Sequence, residues 1–407
     1  MTTVFDGHPM TDGRQRWSKA LLVLSIALAT LWDFRPFDFR LFDGLALLAF
    51  VGSVIMGRHS ANLSLSAYRN YLPLFVVILA YAGLGFALHQ HRSSLAIIVL
   101  CAVSFACLSY RDWLWLAKPM KCLILAHVAA FIIQLLTFHL SGVVLDPHAL
   151  FGPGSRILQN GVDIRAAGLF QEANSYCTNL LLLASIAIFL RLGRPTIYLA
   201  ALTMVVSSSL WGIAAAAIIM AASEFRDDYI SSRRLLAYAA SLILLAGAFN
   251  IFLWVAKPPS YPMPMIYWRI SEIAHDPSLL ARYVGTTCEL ESVYGKDGQL
   301  VSLFLGEGLT TKYFLQCLPA NGFAFLFRSF GLLGGLSLFA SVSFAFHGLK
   351  IASRTICTVY LVFLFTTYPL ATYLIFWIWL WITFSIARAD AVSVGADGDI
   401  VVWECER

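Results

Sequence analysis

Charged side chains are scarce. Asp, Glu, Lys and Arg make up 13% of the 407 residues, against about 25% in soluble domains, so the chain has too little polar surface to dissolve as a globule. It contains no phosphate-binding glycine loop, no HExxH and no CxxC pair, which removes the usual support for P-loop ATPases, zinc proteases and thioredoxin-type redox enzymes. Nor is there a basic, aromatic-interleaved soluble stretch, so the formal charge of +5 implies no nucleic-acid partner. Loop arginines and lysines that set membrane orientation account for it better.

What the chain does have is apolar length. Hydrophobic residues reach 59% and the mean hydropathy is +0.75. Apolar segments fall at 18–32, 41–56, 71–88, 94–109, 119–140, 173–190, 195–208, 209–222, 234–256, 329–347, 354–369 and 370–387. A helical span takes about 20 residues, so the expected fold is an all-α polytopic membrane protein of about 12 transmembrane helices, a single membrane domain over 1–407. The first segment carries the basic flank of an export signal in Arg14, Arg16 and Lys19, but no small-residue cleavage site follows Trp32, and it reads as a retained span.

Basic residues set the orientation. With the N-terminal tail inside, internal loops carry Arg58, Arg69, Arg111, Lys118, Lys121, Arg191, Arg194, Arg226, Arg233, Arg234, Lys350 and Arg354. The external loops before the last long one carry Arg35, Arg40, Arg92, Arg156 and Arg165. The excess inside places both termini in the cytoplasm, with residues 388–407 as a cytoplasmic tail. Two external segments exceed turn length: a first periplasmic loop at 141–172 and a large one at 257–328. The second is rich in aromatic residues, among them Tyr267, Trp268, Phe304 and Tyr313, and short amphipathic helices are expected there.

The outer face offers arginines, carboxylates and one histidine: Arg165, Glu172, Arg269, Glu272, His275, Arg282, Glu307 and Arg328. A guanidinium matches two phosphate oxygens at once, so several arginines at a membrane surface suit a lipid diphosphate. A diphosphate is also a good leaving group, and transfer from it needs charge neutralisation and a proton acceptor for the attacking hydroxyl. Glu172, His275 and Glu307 are the candidate acceptors. Plainer roles stand beside these: a loop ion pair for Arg165 and Glu172, a helix-surface pair for Arg269 and Glu272, a helix end for His275 and snorkelling for Arg328. The histidines at 59, 89, 91, 127, 139 and 148 show no metal-ligand spacing beyond His89-Gln90-His91, and no metal is expected.

Three segments resemble the O-antigen ligase and polymerase family of bacterial envelope glycosyltransferases. The first, Arg165-Ala-Ala-Gly168-Leu-Phe-Gln-Glu172-Ala-Asn174-Ser, is similar to that family's Arg-x-x-Gly-x-Phe-x-x-x-Asn entry to a span. The second is the hairpin from Leu202 through Ser209 to Gly212, where the family's usual Arg after Ser is absent. The third joins Gly306-Glu-Gly308 to Asn321 and to Arg328-Ser-Phe-Gly331-Leu-Leu-Gly334. The resemblance implies glycan transfer from undecaprenyl diphosphate at the periplasmic face of the bacterial inner membrane. It implies no nucleotide sugar and no cofactor, with lipid-linked oligosaccharide as donor and acceptor and a chain-length regulator as a candidate partner. By the same resemblance, Arg165, Asn174, Asn321 and Arg328 bind substrate, and the outer-face guanidiniums of Arg269 and Arg282 join them by their chemistry. Family ligases have a histidine just before the third segment's Asn; here Leu318-Pro319-Ala320 stands there. A Wzy-type polymerase is therefore preferred to a ligase that moves glycan onto lipid A core. A transporter or flippase of lipid-linked glycan is the alternative from another class; it calls for charged or broken helices at mid-membrane, and the sequence displays neither clearly.

Of eight cysteines, only Cys288 and Cys317 share the long external loop, where an oxidising periplasm permits a bridge. Closing a loop of about thirty residues stabilises by roughly 3–4 kcal/mol in the chain-entropy model; two independent thiols are the alternative. Peptide mapping without reduction should find both protected from alkylation, and alkylation of both rules the bridge out.

Overall fold

The computed structural model describes residues 12–31, 41–57, 72–89, 113–150, 164–207, 209–225, 287–288, 300–308, 322–346, 349, 351–365 and 374–395. The fold is all-helical. The helices are α1 (Asp12–Ala29), α2 (Leu41–Gly57), α3 (Leu72–His89), α4 (Ala117–Ser141), α5 (Ala173–Phe189), α6 (Arg194–Val206), α7 (Leu210–Phe225), α8 (Leu300–Leu305), α9 (Gly322–Ala345), α10 (Ile351–Phe365) and α11 (Leu374–Gly395). Short 3-10 turns precede α4 at Leu114–Leu116 and follow it at Pro147–Leu150. The apolar segments expected at 94–109 and 234–256 lie outside the described residues.

Among the described residues, two helices, Leu114–Ser141 and Ala324–Ala345, are long and apolar enough to cross a membrane. Only 33% and 39% of their most apolar windows are buried inside the molecule. Leu136, Leu140, Leu336 and Phe339 are exposed outright. A helix that is apolar all round and still faces outward suits lipid better than water.

The centre is built differently. Every residue of α5 is buried, and the described side chains of α11 from Ile375 to Ile386 are buried as well. α5 packs against α4, α6, α7 and α11, and the Trp379 indole N–H donates to the Ser185 hydroxyl between α11 and α5. At the edge, α1 and α2 form a hairpin closed by small polar residues. Ser18 Oγ donates to the Ser53 carbonyl and Ser53 Oγ to the Ser18 carbonyl, both at 2.8 Å, and Ser25 Oγ donates to the Ala46 carbonyl at 2.8 Å. Small side chains bring the two backbones close, and the hydroxyls find acceptors without water.

Two boundaries depart furthest from the sequence reading. α9 begins at Gly322 rather than 329, because Arg328 does not end the helix: its charge is paired within the fold, as described below. α11 runs on to Gly395, so the first residues of the expected 388–407 tail are helical.

α9 is also broken. Gly331 has φ 60° and ψ −166° inside it, a conformation open essentially only to glycine. In a continuous helix the Arg328 and Ser329 carbonyls would accept from the amides four residues on; here the Glu307 and Gly308 amides donate to them, each at 2.9 Å. A Cβ at Gly331 would stand 2.4 Å from the Gly306 nitrogen. Gly331→Ala should therefore lower the thermal unfolding midpoint of the detergent-solubilised protein, with backbone strain alone costing about 1–3 kcal/mol. Gly335→Ala, whose Cβ meets nothing within 4 Å, should leave it unchanged or raise it slightly.

Candidate functional site

The first segment of interest lies on α4. Gln134 Nε2 donates to the Leu145 carbonyl at 2.6 Å, while Oε1 accepts from the Ala167 and Gly168 amides at 2.7 and 2.8 Å. One buried amide thus ties the start of the 141–172 loop to its end. His148 Nε2 lies 3.0 Å from the Leu169 carbonyl and adds a second tie. Aromatic packing continues the attachment, with Phe170 against His127 and Phe131 stacked on Tyr176 at 4.8 Å between centroids. Orphaning a buried polar group costs about 1–3 kcal/mol, so Gln134 fixes this loop far more strictly than apolar contact would.

That attachment delivers Arg165 to the mouth of α5. The Arg165 side chain is buried, and its Nη2 donates to Asn174 Oδ1 at 3.0 Å. The Ser209 hydroxyl, just before α7, donates to the same oxygen and receives the Gly212 amide at 3.1 Å. Asn174 is therefore the acceptor on which the loop, α5 and the α6–α7 hairpin converge. It joins Arg165 and Asn174 of the first sequence segment to Ser209 of the second. Glu172 is the residue immediately before α5, half-buried with extended backbone at φ −146° and ψ 155°, and its side chain does not cap the helix. Deeper in the same interface, Tyr176 donates to Thr203 at 2.7 Å and Cys177 Sγ lies 3.2 Å from Ser207 Oγ.

A second cluster forms at the break in α9. Arg328 Nε donates to Glu307 Oε2 at 3.0 Å, with the side chains only 7% and 14% exposed. The backbone bonds from Glu307 and Gly308 to the Arg328 and Ser329 carbonyls run beside the pair. Gly308 has φ 79°, and a Cβ there would stand 2.2 Å from the Gly85 nitrogen of α3, so two main chains touch where no side chain fits. One turn back on α3, Tyr81 packs on Phe330 at 4.6 Å, and its hydroxyl would be 2.1 Å from a Cβ at Gly334. The two ends of the third sequence segment, Gly306 to Gly308 and Arg328 to Gly334, thus meet in space.

Beside this break an apolar cavity opens between α3, α9, α10 and α11, lined by Ile78, Leu326, Phe330, Val342, Leu361 and Trp377 among others.

Arg269, Glu272, His275, Arg282 and Asn321 lie outside the described residues. Cys288 is disulfide-bonded, while Cys317, its expected partner, lies outside the described residues. Among the described residues no three His, Cys, Asp or Glu side chains gather into a group fit to hold a metal ion. Sequence reasoning left out Gln134 and Ser209 as site-forming residues. A lone Gln seven residues after His127 in an apolar run was the available signal for the first; for Ser209 there was its place in the second segment.

Compared with protein-family models and with curated proteins, the chain matches none.

Asn174→Ala removes the acceptor shared by Arg165 and Ser209, and should destabilise the protein by about 1–3 kcal/mol. Asn174→Asp keeps an oxygen in place and should recover most of that loss, read as unfolding midpoints in detergent. Equal midpoints for the Ala variant and the native protein would show that the convergence at Asn174 carries no stability.

Proposed function

We propose that the chain is a multi-pass protein of the bacterial inner membrane, with about twelve spans and both termini in the cytoplasm, that polymerises undecaprenyl-diphosphate-linked repeat units into O-antigen or exopolysaccharide at the periplasmic face. The resemblance in three separated segments supports it, and one observation carries most weight. Glu307 and Arg328, from the two ends of the third segment, stand 3.0 Å apart, largely desolvated, beside a glycine-built backbone contact. Such a site offers what transfer from a lipid diphosphate requires: a guanidinium for the leaving diphosphate and a carboxylate for the hydroxyl proton. Arg165 at the mouth of α5 is a second cation for donor or acceptor phosphate, and Glu172, the residue immediately before α5, is the other carboxylate suited to general-base work. Asn321 completes the set by resemblance, and Arg269, Arg282 and His275 by the chemistry of the outer-face residues alone.

One observation favours a second reading. The break at Gly331 next to a buried charged pair is the kind of discontinuous helix found at the centre of transporters, which keeps a conduit for lipid-linked glycan as the alternative.

Glycan length after deletion separates them. A polymerase mutant should accumulate single lipid-linked repeat units on the periplasmic side, and a transporter mutant should retain them on the cytoplasmic side. Long glycan left on its lipid would instead select a ligase. Glu172→Gln in the restored gene should lower elongation by about 10²- to 10⁴-fold if that carboxylate is the base; near-normal chains would remove it from that role.

A further inference from the structure

The two halves of the Glu307–Arg328 pair are mounted differently. Arg328 projects from α9 just before its break. Glu307 lies on the segment that fills the break, with its own amide bonded to the Arg328 carbonyl and the next amide bonded to the Ser329 carbonyl. Its main chain is therefore fastened to the backbone that bears its partner, and only side-chain rotation can separate the charges. The contact itself is the Arg328 Nε–H on one carboxylate oxygen. A phosphate oxygen is an equivalent acceptor for that N–H, and a guanidinium binds either anion.

Simply opening a buried pair is costly, because it leaves a desolvated charge alone. Exchange of one anion for another avoids that cost on the arginine side. We propose that a diphosphate displaces Glu307 from Arg328, and that the displaced carboxylate, still fastened at its backbone, then takes the proton of the attacking hydroxyl. The proposal rests on the polymerase reading and deepens it: the base is exposed only when the donor is seated. In the step, the acceptor hydroxyl oxygen bonds to the anomeric carbon. The bond from that carbon to the diphosphate oxygen breaks, its electron pair leaving on the lipid diphosphate held by Arg328, and the hydroxyl proton passes to Glu307. An empty site keeps Glu307 occupied by Arg328, so the base is not offered to water or acceptor in the absence of donor.

Competition between Glu307 and diphosphate for one guanidinium has a signature that a merely structural pair lacks. Removing the competing charge must tighten diphosphate binding. The purified full-length protein in detergent, titrated with inorganic pyrophosphate and with undecaprenyl diphosphate, should bind either probe about 5- to 100-fold more tightly as Glu307→Gln than as wild type, the usual range of coupling between linked sites. In the wild-type protein, modification of Glu307 by a hydrophobic carbodiimide should rise by a similar factor when pyrophosphate is added. A gain confined to undecaprenyl diphosphate also supports the exchange and assigns the site to the lipid headgroup. Unchanged or weaker binding by a folded Glu307→Gln protein overturns it. If that variant does not fold, constant carbodiimide modification of the wild type at saturating probe overturns it instead. Absence of binding by wild type and variant alike removes the donor site at Arg328, and with it the main support for the polymerase reading, a different failure from binding without exchange.

Discussion

The described helices depend on hydrogen bonding main-chain groups that packing removes from water. A helix does this internally, and a break in one exposes carbonyls that must find donors elsewhere. At Gly331 the donors are the Glu307 and Gly308 amides. Much follows from that one replacement. It sets the position of the short segment behind α8, brings a carboxylate to Arg328, and requires glycine at 306, 308 and 331, where a side chain would overlap neighbouring backbone.

The same constraint governs the other cluster. Gln134 satisfies three main-chain groups of the first loop with one side chain, and Asn174 offers one oxygen to both Arg165 and Ser209. In water such groups would be interchangeable with solvent. Away from water each is nearly obligatory, since a missing partner costs more than the bond contributes net. Charged side chains are few in this chain, and the buried amides of Gln134 and Asn174 are committed to specific geometries. The buried pair at Arg328 belongs in that class: desolvation makes it a weak source of stability and a strict determinant of position.

How far the sequence reveals this varies from residue to residue. α5 was legible almost to the residue, expected at 173–190 and found at Ala173–Phe189, because an apolar run bounded by a loop motif needs no tertiary information. α9 was not. Arg328 looked like a boundary charge, and only the partner twenty-one residues earlier explains why the helix can begin before it. The break at Gly331 was hidden for a related reason: glycine in an apolar helix is commonplace, and its φ is fixed by Gly306 across the contact rather than by its neighbours in sequence. Asn174 and Arg165 were singled out through motif order, but Ser209 and Gln134 belong to the site only through three-dimensional bonds. The expected large loop at 257–328 is helical at Leu300–Leu305 and again from Gly322; the remaining site residues expected within it fall outside the described part.

The break also bears on the choice between conduit and enzyme. In transporters with discontinuous helices, the unwound segment contributes its own carbonyls to an ion or substrate. Here the carbonyls of Arg328 and Ser329 are engaged by the amides of Glu307 and Gly308, and the Gly308 backbone is pressed against Gly85. The unwound region is therefore closed by main chain on two sides. What it presents is side chains, a guanidinium and a carboxylate mounted on main chain that the backbone contact holds together. A fixed backbone with filled carbonyl sites suits the proposed chemistry better than a conduit, because a proton acceptor gains from a positioned mount whereas a moving gate must give up the contacts that create it.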